Sequence, residues 1–290
     1  MNGLISVIVT TYNREDALDA ALRALSHQSD RNFEVVIADD GSRVETGRLI
    51  AVWAKRFAVP LKHVRHDHQG FRGGEIRNRG IRESAGELCI FLDGDCLAPP
   101  GFVAAHRALS EPGWFVTGNR ILLSREVTER VLLQGLEAEN WGFGTLLHER
   151  RQGGLNRLLP VFTLPLGPLR RLRQRSWTGA QTCNLAVARA DLDRVDGFDC
   201  AYTGWGLEDS DLVVRLLHAG VRRKDGRFAT GVLHLWHPPN DRAQLPANQM
   251  RLDAVLSGGR VRALRGLSRL DAAAERPVAA SVAPQHSAPQ

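Results

Sequence analysis

Two aspartates separated by one residue follow a strongly apolar stretch of the chain. Asp93-Gly94-Asp95 comes directly after residues 88–92. In extended backbone, residues two apart point to the same side, so both carboxylates would face one site. Such hard oxygen donors suit Mg²⁺ or Mn²⁺, ions that often hold substrate phosphates. The alternative is an Asp-Gly turn whose side chains bond their own backbone.

Two histidines, His234 and His237, form a second candidate ligand set. Imidazole binds Mn²⁺-type ions as well as zinc. The sequence has no H-E-x-x-H run and no C-x-x-C pair among its four cysteines, which argues against a zinc site. On spacing alone, a pair of ordinary histidines at a strand end is the simpler interpretation.

An aromatic residue precedes three acids in the run Trp205-Gly-Leu-Glu208-Asp209-Ser-Asp211. Acids that open a helix complement its dipole and cap its free N–H groups, which is the structural alternative. An indole face beside carboxylates also suits sugar binding, and one carboxylate could deprotonate an attacking hydroxyl. The run is typical both of an ordinary helix start and of a sugar-binding site with a catalytic carboxylate.

Polar groups lie at the ends of the two strand-like runs 4–11 and 33–38, and these groups could bind a nucleotide. Asp39 and Asp40 follow the run 33–38 and could accept hydrogen bonds from ribose or a base. Neither G-x-G-x-x-G nor G-x-x-x-x-G-K-[ST] is present, so the sequence predicts neither a dinucleotide fold nor a P-loop. The group after the first run, which could surround a base, is Thr10, Thr11, Tyr12, Asn13 and Arg14.

Strand and helix signals alternate over about residues 4–120. Apolar, β-branched runs at 4–11, 33–38, 61–65 and 88–92 are separated by amphipathic patterns. Repeated β-α-β units predict an α/β fold with a parallel sheet wrapped by helices. Open α/β sheets bind ligands at the carboxyl edge of their strands, which is where the polar groups lie.

Composition limits the class of protein. The chain has 290 residues, 43% of them hydrophobic, which is enough for one large domain or two joined lobes. No apolar stretch is long enough to span a bilayer and no signal segment opens the chain, so we expect a cytoplasmic protein.

The net charge of +6 suits an anionic partner. Residues 150–175 carry seven arginines and no acid. This segment is either a solvated, mobile loop or a contact for the inner face of a membrane or an anionic acceptor. Nucleic acid is the least favoured partner because few aromatic residues lie among these arginines. Three other arginines could meet phosphate or form a solvated helix face: Arg72, Arg77 and Arg79.

Taken together, these motifs resemble those of known enzymes over about residues 4–240. Four runs resemble the family 2 inverting glycosyltransferases: 6–14, 36–42, 77–78 and 93–95. Three later runs resemble the galactosyltransferase-type C-terminal segment: 197–199, 204–209 and 234–237. The resemblance implies a GT-A fold, in which a nucleotide-binding half and an acceptor-binding half share one central, mostly parallel sheet. It also implies a nucleotide-sugar donor, UDP-linked, and a glycan or lipid-linked glycan acceptor.

Roles for individual residues follow from the resemblance by motif. Tyr12, Asp39 and Asp40 would hold the donor nucleoside, and Asp93 would lie near the ribose and the metal. Asp95 would ligate Mn²⁺ or Mg²⁺ together with His237 and His234. Asp209 would be the general base, Glu208 an acceptor ligand, and Trp205 a stacking surface for a sugar. The rest of the donor-binding set would be Thr11, Asn13, Arg14 and Arg77.

The same interpretation divides the chain into four parts. Residues 1–120 would bind the nucleotide sugar, 121–176 form a basic variable segment, 177–262 bind the acceptor, and 263–290 form a disordered tail. The Q-x-x-R-W signature of processive members is absent, which favours single-sugar addition. Two alternatives are a nucleotidyltransferase that makes sugar nucleotides and a non-catalytic sugar- or anion-binding protein.

Overall fold

The computed structural model describes residues 3–159 and 162–270, and its centre is a seven-stranded sheet with helices on both faces. The strands are β1 (Ile5–Thr11), β2 (Phe33–Asp39), β3 (Leu61–Arg65), β4 (Leu88–Asp93), β5 (Cys96–Leu97), β6 (Trp114–Thr117), β7 (Arg120–Leu122), β8 (Asn184–Ala188), β9 (Arg222–Asp225) and β10 (Val232–His234). The helices are α1 (Glu15–Ser26), α2 (Val44–Ala54), α3 (Gly73–Glu83), α4 (Phe102–Leu109), α5 (Arg125–Gln134), α6 (Phe143–Arg151), α7 (Arg189–Val195), α8 (Glu208–His218) and α9 (Leu245–Gly258). Short 3₁₀ helices cover Ala138–Asn140, Gly167–Arg171 and Leu267–Arg269.

The large sheet has the order β3-β2-β1-β4-β8-β6-β9. Its first four strands are parallel, as the alternating pattern predicts. β8 enters antiparallel between β4 and β6, and β9 then runs parallel to β6. The α/β prediction is therefore confirmed, with four parallel strand pairs and two antiparallel ones.

Two apolar cores cover the faces of the sheet. Val7 and Val9 point to one face, where they pack with Leu22 of α1. Ile8 points to the opposite face and packs with Ile76 of α3. Because side chains alternate along a strand, a strand buried on both faces must be apolar at every position, which explains the continuous run in β1.

Register brings the polar ends of three strands to one edge. Thr11 of β1 pairs with Asp39 of β2, and Thr10 pairs with Asp93 of β4. The carboxyl ends of β1, β2 and β4 therefore meet, as expected for a ligand-binding edge.

A separate three-stranded sheet, in the order β5-β10-β7, joins the two halves of the chain. His234 pairs with Cys96 across the antiparallel β5–β10 ladder. The Leu235 amide also donates a hydrogen bond of 2.9 Å to the Asp95 carbonyl. This short ladder brings Asp95, which follows β4, beside His234 and His237.

The basic segment is more ordered than a solvated loop, within the part that the structure describes. Arg170 is buried, and its guanidinium donates to the carbonyls of Asp225 and Arg227 at 2.8 and 2.7 Å. Upstream, Ser124 caps α5 by accepting from the Val127 amide. The interpretation as a solvated loop is therefore wrong at Arg170, because its guanidinium is hydrogen-bonded to carbonyls of β9 and of the turn after it.

The predicted tail begins inside an ordered stretch. Ser268 donates to Asp196 through both its amide and its hydroxyl, at 2.9 and 2.8 Å. Residues 271–290, the remainder of that predicted tail, lie outside the described residues. Within the described ranges, we find no helix with the length and apolar composition needed to cross a bilayer.

Candidate active site

Asp95, His234 and His237 converge at the junction of the two sheets. Asp95 Oδ1 lies 3.4 Å from His234 Nε2, and Asp95 Oδ2 lies 3.7 Å from His237 Nε2. One ligand atom from each residue falls within 4.8 Å of the others. At these distances Asp95 does not form a good hydrogen bond to either histidine, and the space between the three side chains can hold an ion.

The donor set fits a divalent cation. Asp95 Oδ1 is buried and has no hydrogen-bond partner among the described residues. His237 Nδ1 donates to the Pro238 carbonyl at 2.7 Å, which leaves Nε2 with its lone pair free for a metal. Burial lowers the pKa of His234, which keeps it neutral, and burial raises the pKa of Asp95. A cation would supply the positive charge that this buried carboxylate lacks.

A second group of acids opens α8. Leu207, directly before the helix, has a left-handed backbone with φ of 74°, a conformation that a non-glycine residue adopts at a cost. The turn presents Glu208 and Asp209 at the helix start. Arg77 of α3 is buried between Glu208 Oε1 at 3.1 Å and Asp93 Oδ1 at 3.3 Å. Two of the site's carboxylates are therefore held by one guanidinium.

Asp209 is the carboxylate that Arg77 does not bind directly. Its Oδ1 accepts from the Ser210 amide at 2.6 Å, whereas none of the described residues donates a hydrogen bond to Oδ2. Burial, aided by the charge of Glu208, raises the pKa of Asp209 to about 7. A carboxylate with a pKa near neutrality is suited to general base catalysis.

One cavity of about 520 Å³ connects these groups. Its size is typical of a small-molecule site. The hydroxyls of Thr10 and Thr11 border it and are buried without partners in the described structure, so they are available to a ligand. Eleven of the fourteen predicted site residues line the cavity: Thr11, Tyr12, Arg14, Asp40, Arg77, Asp93, Asp95, Trp205, Glu208, Asp209 and His237.

Three predicted residues lie off the cavity wall. His234 sits behind it, within reach of Asp95. Asn13 does not cap α1; its Oδ1 accepts instead from the Arg43 amide at 2.8 Å. Asp39 is fully buried.

Asp39 shapes the loop after β2. It accepts from the Ser42 amide at 2.7 Å and bonds His63 at 3.1 Å. Burial alone would raise the pKa of Asp39, but these hydrogen bonds hold it below its usual value. Asp40 faces the cavity and bonds His66 at 2.5 Å.

Several residues in the cavity wall or in contact with it have no motif that predicts them. Arg120 lies at the start of β7, a strand too short for a periodic signature, and residues 179–183 form a loop. His68 stacks on Tyr12 with ring centroids 4.5 Å apart. The Arg242 guanidinium lies over the ring of the wall residue Trp205, 5.4 Å from its centroid. Each depends on tertiary contacts that spacing does not reveal.

The sequence matches two family models. The model described as glycosyl transferase family 2 matches residues 6–168, more than half of the chain. The chain belongs to this family. A model described as the N-terminal domain of galactosyltransferase matches the glycosyltransferase at residues 171–237. Asp95 lies in the first matched range, and both histidines of the cluster lie in the second.

Curated relatives agree with this assignment. The glycosyltransferase is 33% identical over 239 residues to validoxylamine A glucosyltransferase from Streptomyces hygroscopicus subsp. limoneus. That alignment covers 79% of this chain and 51% of the relative. The chain thus spans about half the length of this relative.

Solved structures confirm the fold. TarS from S. aureus, in complex with UDP-GlcNAc, superposes with a TM-score of 0.62 at 16% identity, covering 92% of the glycosyltransferase and 69% of TarS. The mannosyltransferase PcManGT from Pyrobaculum calidifontis, in complex with GDP-Man and Mn²⁺, gives a TM-score of 0.57 at 17% identity, with coverage of 98% and 77%. The enzyme has the GT-A fold.

Proposed function

We propose that the enzyme transfers a single sugar from a UDP-linked donor to a hydroxyl of a glycan or lipid-linked glycan, with inversion and with Mn²⁺ or Mg²⁺ bound. The observation that carries the proposal is the opening of Asp95, His237 and Asp209 onto one cavity. The bound nucleotide sugars of TarS and PcManGT, and the Mn²⁺ of the latter, support it.

Within this proposal, residues 1–120 bind the donor and 177–262 the acceptor. Tyr12 and Asp40 lie at the cavity edge formed by β1 and β2, where a base and ribose would be held. Asp95, His234 and His237 would hold the cation. When bound, the cation offsets the charge that builds on the departing diphosphate. Arg120 lines the same wall and adds a second positive charge.

Asp209 supplies the base for the transfer. Its carboxylate takes the proton of the acceptor hydroxyl, whose oxygen forms a bond to the anomeric carbon. The bond from that carbon to the diphosphate oxygen breaks on the opposite face, so the configuration inverts. Arg77 pairs with both Glu208 and Asp93, which leaves Asp209 as the one of these three acids without an ion pair in the described structure. Trp205 offers a ring face to a sugar.

Nucleotide release from a panel of UDP- and GDP-linked sugars, with Mn²⁺, Mg²⁺ or excess chelator, tests the proposal. We expect Asp95→Asn to lose cation-dependent transfer by at least about a hundredfold. Asp209→Asn should bind the donor but not transfer, and wild-type turnover should fall as the pH drops below about 7. Asp193→Asn, which removes a carboxylate from an exposed ion pair, is the matched control. Undiminished transfer by Asp95→Asn, or in chelator, would refute the cation's role.

Residues 143–159 and 162–175 carry exposed apolar and basic side chains, a set that we name the basic apolar surface. We define it by five exposed apolar side chains and four exposed arginines. Two of its rings, Phe143 and Phe162, lie 5.4 Å apart. Arginines beside exposed apolar side chains are typical of surfaces that bind anionic lipid headgroups. The members are Phe143, Leu159, Phe162, Leu169, Leu172, Arg150, Arg151, Arg157 and Arg175.

We propose that this basic apolar surface contacts an anionic membrane that carries the acceptor. Cosedimentation with phosphatidylcholine vesicles, with and without phosphatidylglycerol, tests it. The doubly substituted variant Leu169→Glu/Leu172→Glu should lose binding to the anionic vesicles. Leu133→Glu, at an exposed leucine of α5 outside this surface, should retain it. Equal binding of all three proteins, or none by the wild type, would contradict the proposal.

A further inference from the structure

A second cluster of possible metal ligands lies outside the active site. His27, Glu137 and Glu139 each offer one ligand atom, and these atoms all lie within 4.8 Å of one another. His27 follows the end of α1, and the two glutamates flank the start of the 3₁₀ helix after α5. The assigned chemistry uses none of the three.

Glu139 is buried in a way that requires a partner. Its side chain has no exposed surface, and neither carboxylate oxygen has a hydrogen-bond partner within the described ranges. His27 Nδ1 lies 3.9 Å from Glu139 Oε1, which is too far for a hydrogen bond. An unpaired buried carboxylate costs several kcal/mol or else takes up a proton or a cation.

The neighbouring groups favour a cation at this position. Asn140 Nδ2 donates to Glu137 Oε2 at 2.9 Å, which orients that carboxylate and leaves Oε1 free. Arg23 donates to the Leu136 carbonyl at 3.0 Å instead of forming an ion pair with Glu139. The C-terminal ends of α1 and α5, both negative dipole ends, also meet here.

The cluster is remote from the cavity. α1 begins at the carboxyl edge of β1 and runs 12 residues, about 18 Å, to the opposite edge of the sheet. Small residues of α1, Ala17, Ala20 and Ala24, pack with Val127 and Val131 of α5 and hold the two helix ends together. An ion here would fasten α1 to the turn after α5 without touching the donor.

We propose that His27, Glu137 and Glu139 form a structural Zn²⁺ site that joins α1 to the turn after α5. Imidazole nitrogen and carboxylate oxygen both ligate Zn²⁺, so one imidazole, two carboxylates and a water molecule would complete a four-coordinate site. Burial raises the pKa of Glu139, so a bound ion would have to displace a proton, and its affinity should increase with pH.

The test uses the full chain in which the first cluster, Asp95, His234 and His237, is prevented from binding metal by Asp95→Asn and His237→Gln. In that background we expect one Zn²⁺ per chain by competition with a chromophoric chelator, and a Co²⁺ spectrum of a low-coordinate site. Adding Glu139→Gln should lower the affinity at least about tenfold and remove the rise in Tm with Zn²⁺. Glu129→Gln, at an exposed glutamate of α5, is the control and should change neither.

Folding failure is distinguishable from loss of the ion. Without metal, Glu139→Gln should be at least as stable as its parent, because it replaces a buried carboxyl that has no partner with a neutral side chain of the same size. Two results would overturn the proposal. One is the absence of saturable Zn²⁺ binding in the background with Asp95→Asn and His237→Gln, which would leave Glu139 as a protonated carboxyl; the other is unchanged binding in Glu139→Gln.

Discussion

Asp209 titrates near neutral pH because burial and the charge of Glu208 disfavour its ionised form. In the unfolded chain its carboxyl would have an ordinary pKa near 3.8. The folded protein therefore holds this proton more tightly than the unfolded chain does. Stability from this group is present below the ordinary pKa and is lost as pH rises toward about 7.

We predict that Asp209→Asn raises Tm relative to wild type at about pH 8, by a free energy on the order of 1–3 kcal/mol. The gain should shrink toward zero as the pH approaches about 4, where both side chains are neutral. Thermal unfolding across this pH range measures it. A variant less stable than wild type at high pH would show that the charged carboxylate has a partner in the folded state.

The sequence could not distinguish between neighbouring aspartates at the end of β2. Asp39 and Asp40 are chemically identical, and the motif assigns both to the donor. In the structure Asp40 reaches the cavity, whereas Asp39 points into the protein and bonds Ser42 and His63. Which of two adjacent residues faces a ligand depends on the turn, and no periodicity reports it.

At the scale of elements, the long strands were predictable, whereas the pairing within the connecting three-stranded sheet was not. β2 and β4 lie at the apolar runs 33–38 and 88–92 that predict them, because each run is long enough to be recognised. β10 lies where the sequence predicts a strand that ends at the two histidines, whereas β5 has only two residues and no pattern that predicts it. Yet their ladder brings Asp95 to His234. The predicted metal set therefore came from resemblance and residue chemistry, not from any predicted pairing.

Gly94 is the residue on which that junction depends. A Cβ there would lie 3.0 Å from the Thr10 carbonyl and 3.3 Å from Thr11 Cβ, so the backbone after β4 would have to shift. We predict that Gly94→Ala lowers Mn²⁺ affinity about tenfold by moving Asp95, with less than about 2 kcal/mol of lost stability. Gly144→Ala in α6, where a Cβ meets nothing within 4 Å, is the control and should leave Mn²⁺ affinity unchanged. Calorimetric titration with Mn²⁺ compares them, and equal affinity in both variants would contradict the argument.

At the scale of the whole molecule, the candidate cation site draws its residues from two separately matched parts of the chain. Asp95 belongs to the range matched by the family 2 model, and His234 and His237 belong to the galactosyltransferase range. A ligand bound by both parts stabilises the folded state by an amount that grows with its concentration, about 2.7 kcal/mol at a hundred times Kd. In the Glu139→Gln background, which isolates the first cluster, we predict one cooperative transition whose Tm rises with Mn²⁺. Adding Asp95→Asn or His237→Gln should each abolish that rise, since either one removes a ligand from a different part. If Asp95→Asn abolished the rise in Tm and His237→Gln did not, the ion would be held by the first part alone. The two parts would then not be coupled through it.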